Sequence, residues 1–503
     1  MSYALVRSRA SRGLEAPAVR VEVHLSSGLP AFNIVGMLET AVRESRDRVR
    51  SALINSHFEF PDGRLTVNLA PADLPKGGGR FDLAIALGIL CASDQLPAEC
   101  IQQVECIGEL GLDGGLCDVR GCIAAAIAAT RAGHRIALPV DAARRCHIVP
   151  QIRSLGAPDL LSLCAVLRGH GDAAHGPAPA EESESDPVAF VVTDLAEVQG
   201  QPLAKRALEL AAAGGHNLLF CGPPGTGKSM LASCLPGILP APDPEETLTM
   251  HALTDLRGAR LQGVQRPFRA PHHSASAASL IGGGSIPQPG EISLAHGGVL
   301  FLDELAEFPR SSLDMLREPL ESGEIHLARA QCSVRYPARF QLIAAMNPCP
   351  CGYAGDARRR CRCSAAQRLN YSARLSGPLL DRIDLQVRVT RDEESSLFDE
   401  SAEEGSAQVG ERVRQAVATQ RERQGCSNAR LAGGLLLEHC GLRRNEKKLL
   451  DDASRQLQLS RRAIHRVLRV ARTIADVERR NDVRELDLQE ALAYRQIVAE
   501  RAY

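Results

Sequence analysis

The chain has no tryptophan, and aromatic residues make up 3% of its 503 positions. So few rings leave no obvious platform for stacked bases, the device of many single-strand binders. Net charge is nearly absent too: 59 Lys and Arg against 60 Asp and Glu leave −1 at pH 7. The whole molecule is therefore not an electrostatic nucleic-acid binder, and any such surface must be local. No run of about eighteen apolar residues occurs, which argues against a membrane-spanning helix. Met1 to Leu14 (MSYALVRSRASRGL) lacks the apolar stretch of a secretory signal, so a cytoplasmic location is expected.

Cysteine is not scarce: there are sixteen. Cytosolic thiols stay reduced, so scattered ones such as Cys91, Cys164 and Cys234 are expected as small buried hydrophobes. Tight spacing occurs only in MNPCPCGYAGDARRRCRC, residues 346–363. Cys349, Cys351, Cys361 and Cys363 form two C-x-C pairs with nine residues between them, enough chain for a four-thiolate zinc site. The spacing within each pair is tighter than usual for zinc. A C-x-x-C redox signature is absent, which weakens a redox role. Arg358, Arg359, Arg360 and Arg362 would be displayed together, either as DNA-phosphate contacts or as a solvated charged loop.

A chain of this length accommodates roughly two to four domains. Residues 171–187 (GDAAHGPAPAEESESDP) read as a linker, and the acidic stretch 391–409 as a hinge. They divide the chain into blocks 1–170, 188–390 and 410–503. In the first, Val19–Leu25 and Leu65–Leu69 pattern as strands, Thr40–Ile54 and Ile123–Arg131 as helices. In the second, the apolar runs 217–221, 298–302 and 341–346 read as strands buried on both faces, hence a parallel α/β sheet. The third is helical. Asp487 and Glu490 suggest a capping box opening a helix to Arg495, and Ser460 precedes an amphipathic helix to about Val477.

Gly222, Pro223, Pro224, Gly225, Thr226, Gly227, Lys228 and Ser229 fit G-x-x-x-x-G-K-[ST] between a strand and a helix. Such a loop wraps phosphates with backbone N–H groups, predicting ATP as ligand. Lys228 would reach the terminal phosphates, and Ser229 would hold Mg²⁺. Asp303, after the run LFL, would complete the Mg²⁺ shell, and Glu304 would polarise the attacking water. Asn347 can set an amide between phosphate and water, and Arg382 can supply charge to a neighbour's nucleotide. Taken alone, Asn347 is equally a strand-end turn residue and Arg382 a solvated side chain.

Together, GHNLLFCGPPGTGKSMLA, RAPHHSASAASLIGGG, PGEISLAHGGVLFLDELAEF, AAMNPCPCG and SGPLLDRIDL resemble the YifB/ComM family of magnesium-chelatase-like AAA+ ATPases. The resemblance extends to MSYALVRSRA, VEVHLSSGLPAFNIVG and LTVNLAPADLPK, and covers nearly the whole chain. It implies an AAA+ core with a C-terminal helical lid, in a hexameric ring with ATP at subunit interfaces. Arg382 is then the trans-acting finger, and Arg462, with Arg466 as the alternative, the second sensor in the lid. It strengthens the zinc reading. It also implies a DNA helicase driving branch migration on single-stranded and branched DNA during natural transformation, with recombination proteins as candidate partners.

Ser274–Gly290 and Ile325–Arg335 would be inserted loops facing the ring's pore. His272 and His273 are expected to be structural or pore-lining, for want of a carboxylate or thiol partner. Residues 1–170 resemble an S5/Lon-protease-like α+β domain. Arg80 falls where the nucleophilic serine of that family stands and Ile123 where its lysine stands, so no Ser–Lys dyad exists and the domain is expected to be non-proteolytic. The alternatives are a chelatase motor inserting Mg²⁺ into a porphyrin, against which the first domain and the cysteines argue, and a remodelling factor without helicase activity.

Overall fold

The computed structural model describes residues 2–36, 40–74, 76–170, 192–259, 261, 263, 265–284, 287–329, 332–390, 403–431 and 433–495. The expected linker, and the hinge through residue 402, lie outside these.

The N-terminal block is built on alternation. Val19, Val21 and Val23 are buried while Arg20 and His24 face outward, so the strand Ala18–Ser26 has one wet face. It is third in a seven-stranded mixed sheet, whose order is Ala31–Val35, Arg64–Ala70, Ala18–Ser26, Ser2–Arg9, Val104–Cys106, Arg135–Pro139 and Ser154–Ala157. The helix Asp82–Ala92 packs on its dry face with every residue buried. The expected helices appear as Thr40–Asn55 and Cys122–Arg131.

The middle block contains a five-stranded parallel sheet in the order Phe268–Arg269, Val299–Leu302, Gln341–Met346, Leu218–Cys221 and Leu385–Arg388. All residues of the three central strands are buried, as expected of a sheet covered on both faces. Its register aligns Cys221 with Met346 and Leu302 with Ala344. The segments after these three strands therefore emerge side by side at one edge, where open parallel sheets bind ligands.

The C-terminal helices are Ser406–Gln424, Gly433–Cys440, Arg444–Gln456, Arg461–Val477 and Glu485–Ala493. Ser460 caps Arg461–Val477 by accepting from the Ala463 N–H. The last helix starts earlier than its sequence suggested. Asp487 lies in its first turn, accepting from the Arg484 N–H at 2.8 Å, and is not its cap. Arg472 is fully buried and donates to His439 O, Asn481 O and Arg480 O, with Asp476 3.0 Å away. With only Nε left without a hydrogen-bond partner among the described residues, these contacts make the buried guanidinium tolerable. This block shares one core with the sheet, Val409, Val413, Leu468 and Ile474 packing with Leu208, Phe220 and Leu231. Among the described residues no helix is long and apolar enough to cross a membrane.

The first two blocks interlock. Asp255, at the end of the helix Pro244–Leu256, accepts from the Ile123 N–H at 3.0 Å and lies 3.4 Å from Arg145. Arg12 donates to Ser333 O, and Val334 and Tyr336 pack with Leu253, Leu256 and Leu14.

Candidate functional site

Two left-handed glycines shape the phosphate loop: Gly225 at φ +76° and Gly227 at +79°. A Cβ on either would meet nothing within 4 Å, so glycine is required there by backbone conformation and not by crowding. Gly227 leads into the helix Lys228–Ile238, whose N-terminus faces the loop. The Thr226 hydroxyl donates to Pro223 O at 2.9 Å and braces the turn. Lys228 Nζ donates to Gly222 O at 2.8 Å, Pro223 O at 2.7 Å and Asn347 Oδ1 at 3.3 Å. Burial holds its ammonium below the usual range, against the pull of Asp303.

Ser229 Oγ donates to Asp303 Oδ2 at 2.7 Å. A hydroxyl and a carboxylate this close, beside an open glycine loop, are a donor set that fits a divalent cation. Ser229 and Asp303 would hold Mg²⁺, and the loop amides with Lys228 would hold the triphosphate. Glu304 follows in a left-handed conformation, φ +51°, with its N–H donating to Asp303 Oδ1. Asn347 directly follows the neighbouring strand, Gln341–Met346. Three strand ends thus bring together residues from three separate sequence segments.

His273 corrects the sequence reading. Its Nδ1 lies 3.1 Å from Glu304 Oε2, so the histidine pair does have a carboxylate partner. The His272 ring stacks on it at 4.0 Å between centroids. A polar pair just after a strand beside the acidic strand end was the available signal. That strand, Phe268–Arg269, is too short to show periodicity.

The two arginines stand elsewhere. Arg382 donates to Pro378 O at 2.7 Å and meets Glu321 at 2.5 Å. Arg462, highly exposed, lies 3.8 Å from the same Glu321 carboxylate. Among the described residues neither guanidinium pairs with the phosphate loop, Asp303 or Glu304. Arg466 differs: it is largely buried, 3.3 Å from Asp384. Burial works to raise the Asp384 carboxyl, but His216, Arg466 and the Asn217 N–H together hold it below its usual range. Asn217 also donates through its side chain to Arg382 O, fixing the arginine's segment to the sheet.

The four cysteines converge. Sγ separations are 3.4 Å for Cys349–Cys351, 3.7 Å for Cys349–Cys361 and 3.6 Å for Cys351–Cys361, and with Cys363 all four lie within 4.8 Å. Disulfides require about 2.05 Å. Tetrahedral zinc with Zn–S near 2.3 Å implies S···S near ~3.8 Å, which the cluster matches. Backbone N–H groups of Arg362 and Tyr353 pull the Cys351 thiol down to about 6, favouring the thiolate, whereas burial pushes Cys349 up to about 12. Arg358, Arg359, Arg360 and Arg362 are all exposed, and Arg359 sits over the Tyr353 ring at 5.2 Å.

In the first block Arg80 is buried, its Nη1 donating to Arg120 O, and Nε and Nη2 have no hydrogen-bond partner among the described residues. Within the two segments expected as inserted loops, Gly282–Gly283 pairs with Gln288–Pro289, and Glu324–Arg329 with Cys332–Pro337. The Tyr336 hydroxyl donates to Pro287 O, tying one to the other.

Comparisons with known proteins place the chain in a family. Residues 194–397 match a family model described as magnesium chelatase, subunit ChlI; residues 403–495 match its C-terminal counterpart. Residues 21–141 match one described as subunit ChlI of Mg-chelatase, so the first block does not by itself set the chain apart from chelatases. The chain is 49% identical to protein YifB of Salmonella typhimurium, over 99% of this chain and 98% of that one. It is 48% identical to competence protein ComM of Haemophilus influenzae, with the same coverage. Likeness to the magnesium-chelatase 67 kDa subunit of Chlorobaculum parvum is 29% over only 30% of this chain. With a nucleotide-type loop at the edge of a parallel sheet and near-half identity along its whole length, the chain belongs to the YifB/ComM family of magnesium-chelatase-like, AAA+ ATPase-like proteins.

Proposed function

We propose that the protein is an ATP-driven, hexameric DNA motor of the ComM type, moving branched DNA to integrate a donor strand. The observation that carries the ATPase half is the meeting of Lys228, Ser229, Asp303, Glu304 and Asn347 at three adjacent strand ends. In this reading the loop and Lys228 bind the triphosphate, and Glu304 accepts the proton of the attacking water. Asn347, already touching Lys228, positions that water. Arg382 acts on the neighbouring subunit's nucleotide as the finger, a role supported by its pairing with Glu321 and not with its own loop, and Arg462, or else Arg466, serves as the second sensor in the lid.

The DNA half rests on likeness to the protein named for competence and on the exposed arginines of the knuckle. Zinc would be resident in the four-cysteine site. The division into an N-terminal domain 1–170, a core 188–390 and a lid 410–503 belongs to the same proposal, as does a cytoplasmic location. The first domain serves assembly or DNA guidance, having neither serine at 80 nor lysine at 123.

A synthetic three-strand junction tests this. Purified protein should release the displaced strand only with ATP and Mg²⁺, and Lys228→Ala should abolish release. Full displacement by Lys228→Ala, or none by the wild type, would sink the motor reading. A chelatase motor is the second reading, favoured by the names of the matching models. Its signature would be ATPase stimulation by a metallation partner and porphyrin instead of by DNA.

A further inference from the structure

The cysteine knuckle and the phosphate loop are in contact. Gly352, buried between Cys351 and Tyr353, has φ +83°. A Cβ built on it would lie 2.7 Å from Pro224 Cδ and 3.9 Å from Asn347 Cγ. Pro224 is part of the phosphate loop, and Asn347 is the amide touching Lys228. The knuckle's backbone at Gly352 thus packs against Pro224 of the loop, where only glycine suits both the conformation and the space.

The contact is tied to the thiols. Gly352 N–H donates to Cys349 O at 2.9 Å, closing a turn that carries Cys349 and Cys351. At the far end, Cys363 precedes Ser364, which caps the helix Ala365–Ala373, and Tyr371 of that helix is buried in the core. The knuckle is therefore anchored at its far end by the helix and set against the loop near its start, at Gly352. Its own shape depends on what holds four sulfurs together, because so short a segment has no core.

We propose that the knuckle is the outer wall of the phosphate loop, and that metal occupancy of Cys349, Cys351, Cys361 and Cys363 controls nucleotide affinity. This rests on reading the four thiols as a zinc site. With the metal bound, the turn at Gly352 supports Pro224 and keeps the loop amides preorganised for phosphate. Without it the turn relaxes and the loop loses one wall, although no ligand sulfur touches the nucleotide. Zinc supply is thereby a control on ATP binding, separate from any DNA contact by the arginines.

The test uses the full chain, a fluorescent ATP analogue with Mg²⁺, and zinc content by mass spectrometry. Stripping zinc with phenanthroline under reducing conditions should weaken analogue binding about tenfold, and adding zinc back should restore it. Gly352→Ala should keep its zinc and still bind about tenfold more weakly. The pair Cys361→Ser with Cys363→Ser should lose zinc and not recover on its addition. A zinc-loaded wild type whose affinity is the same after stripping overturns the proposal and leaves the zinc site standing. Wild type that never binds zinc overturns the zinc reading itself, and with it this control. Should Gly352→Ala fail to fold, judged by circular dichroism, the stripping and re-addition cycle decides alone.

Discussion

His273 Nδ1 stands 3.1 Å from Oε2 of Glu304, bridging two segments that are thirty-one positions apart in the chain. Glu304 occupies a left-handed turn with about half its surface in solvent, so little else fixes its rotamer. His273→Ala should lower ATPase kcat about tenfold, while KM for ATP stays within about twofold, because orientation is lost and not binding. Glu304→Gln should bind ATP normally and turn over about a hundredfold or more slowly. Steady-state kinetics on both variants separate the two effects. An unchanged kcat for His273→Ala would mean that the contact is incidental.

Trans action of Arg382 can be checked by mixing. Arg382→Ala and Lys228→Ala proteins should each be inactive alone, one lacking the finger and the other the phosphate lysine. In mixed rings, an intact loop can face an intact finger across an interface, so part of the ATPase activity should return. No recovery across a range of ratios, in rings shown to be mixed, would place Arg382 outside the neighbour's site.

The sequence carried the phosphate loop, the acidic strand end and the cysteine spacing because each is a local pattern with local chemistry. Buried strands such as Gln341–Met346 were legible as unbroken apolar runs. The sharing of Glu321 by Arg382 and Arg462 was not, since three distant segments meet there and surface carboxylates have no distinguishing pattern. Nor could Arg466 be told from Arg462 by position. Only the fold shows one buried against Asp384 and the other exposed. The start of the last helix was misplaced because Asp487 works from inside its first turn, where an acidic residue also suits the helix dipole.

His296 gives a pH dependence of known sign. It accepts from the Arg339 N–H through Nδ1, and burial, aided by Arg339, Arg430 and Arg266, lowers it from 6.5 to about 4. Between those values the unfolded chain binds the proton and the folded one does not, so stability is fully present above about pH 6.5 and lost as pH falls toward 4. The upper limit is about 3 kcal/mol. Denaturant titrations of wild type and His296→Gln at pH 7.5 and 5 should show a smaller pH effect in the variant.

The knuckle arginines predict a salt effect. Arg358→Ala with Arg360→Ala should weaken binding to DNA of any sequence and reduce the slope of log affinity against log salt by about one to two. Arg359→Ala should also disturb Tyr353, which it covers and to which it donates at 2.8 Å. An unchanged slope in the double variant would make the cluster a solvated surface.

The carboxylate of Asp255 completes the amino end of a helix that belongs to a different block. Excising residues 1–170 would strand that acid beside nothing, and excising the remainder would leave Arg145 and the Ile123 amide short of a partner. Each part supplies one side of that contact, so cutting the chain between them should lower the stability of both pieces.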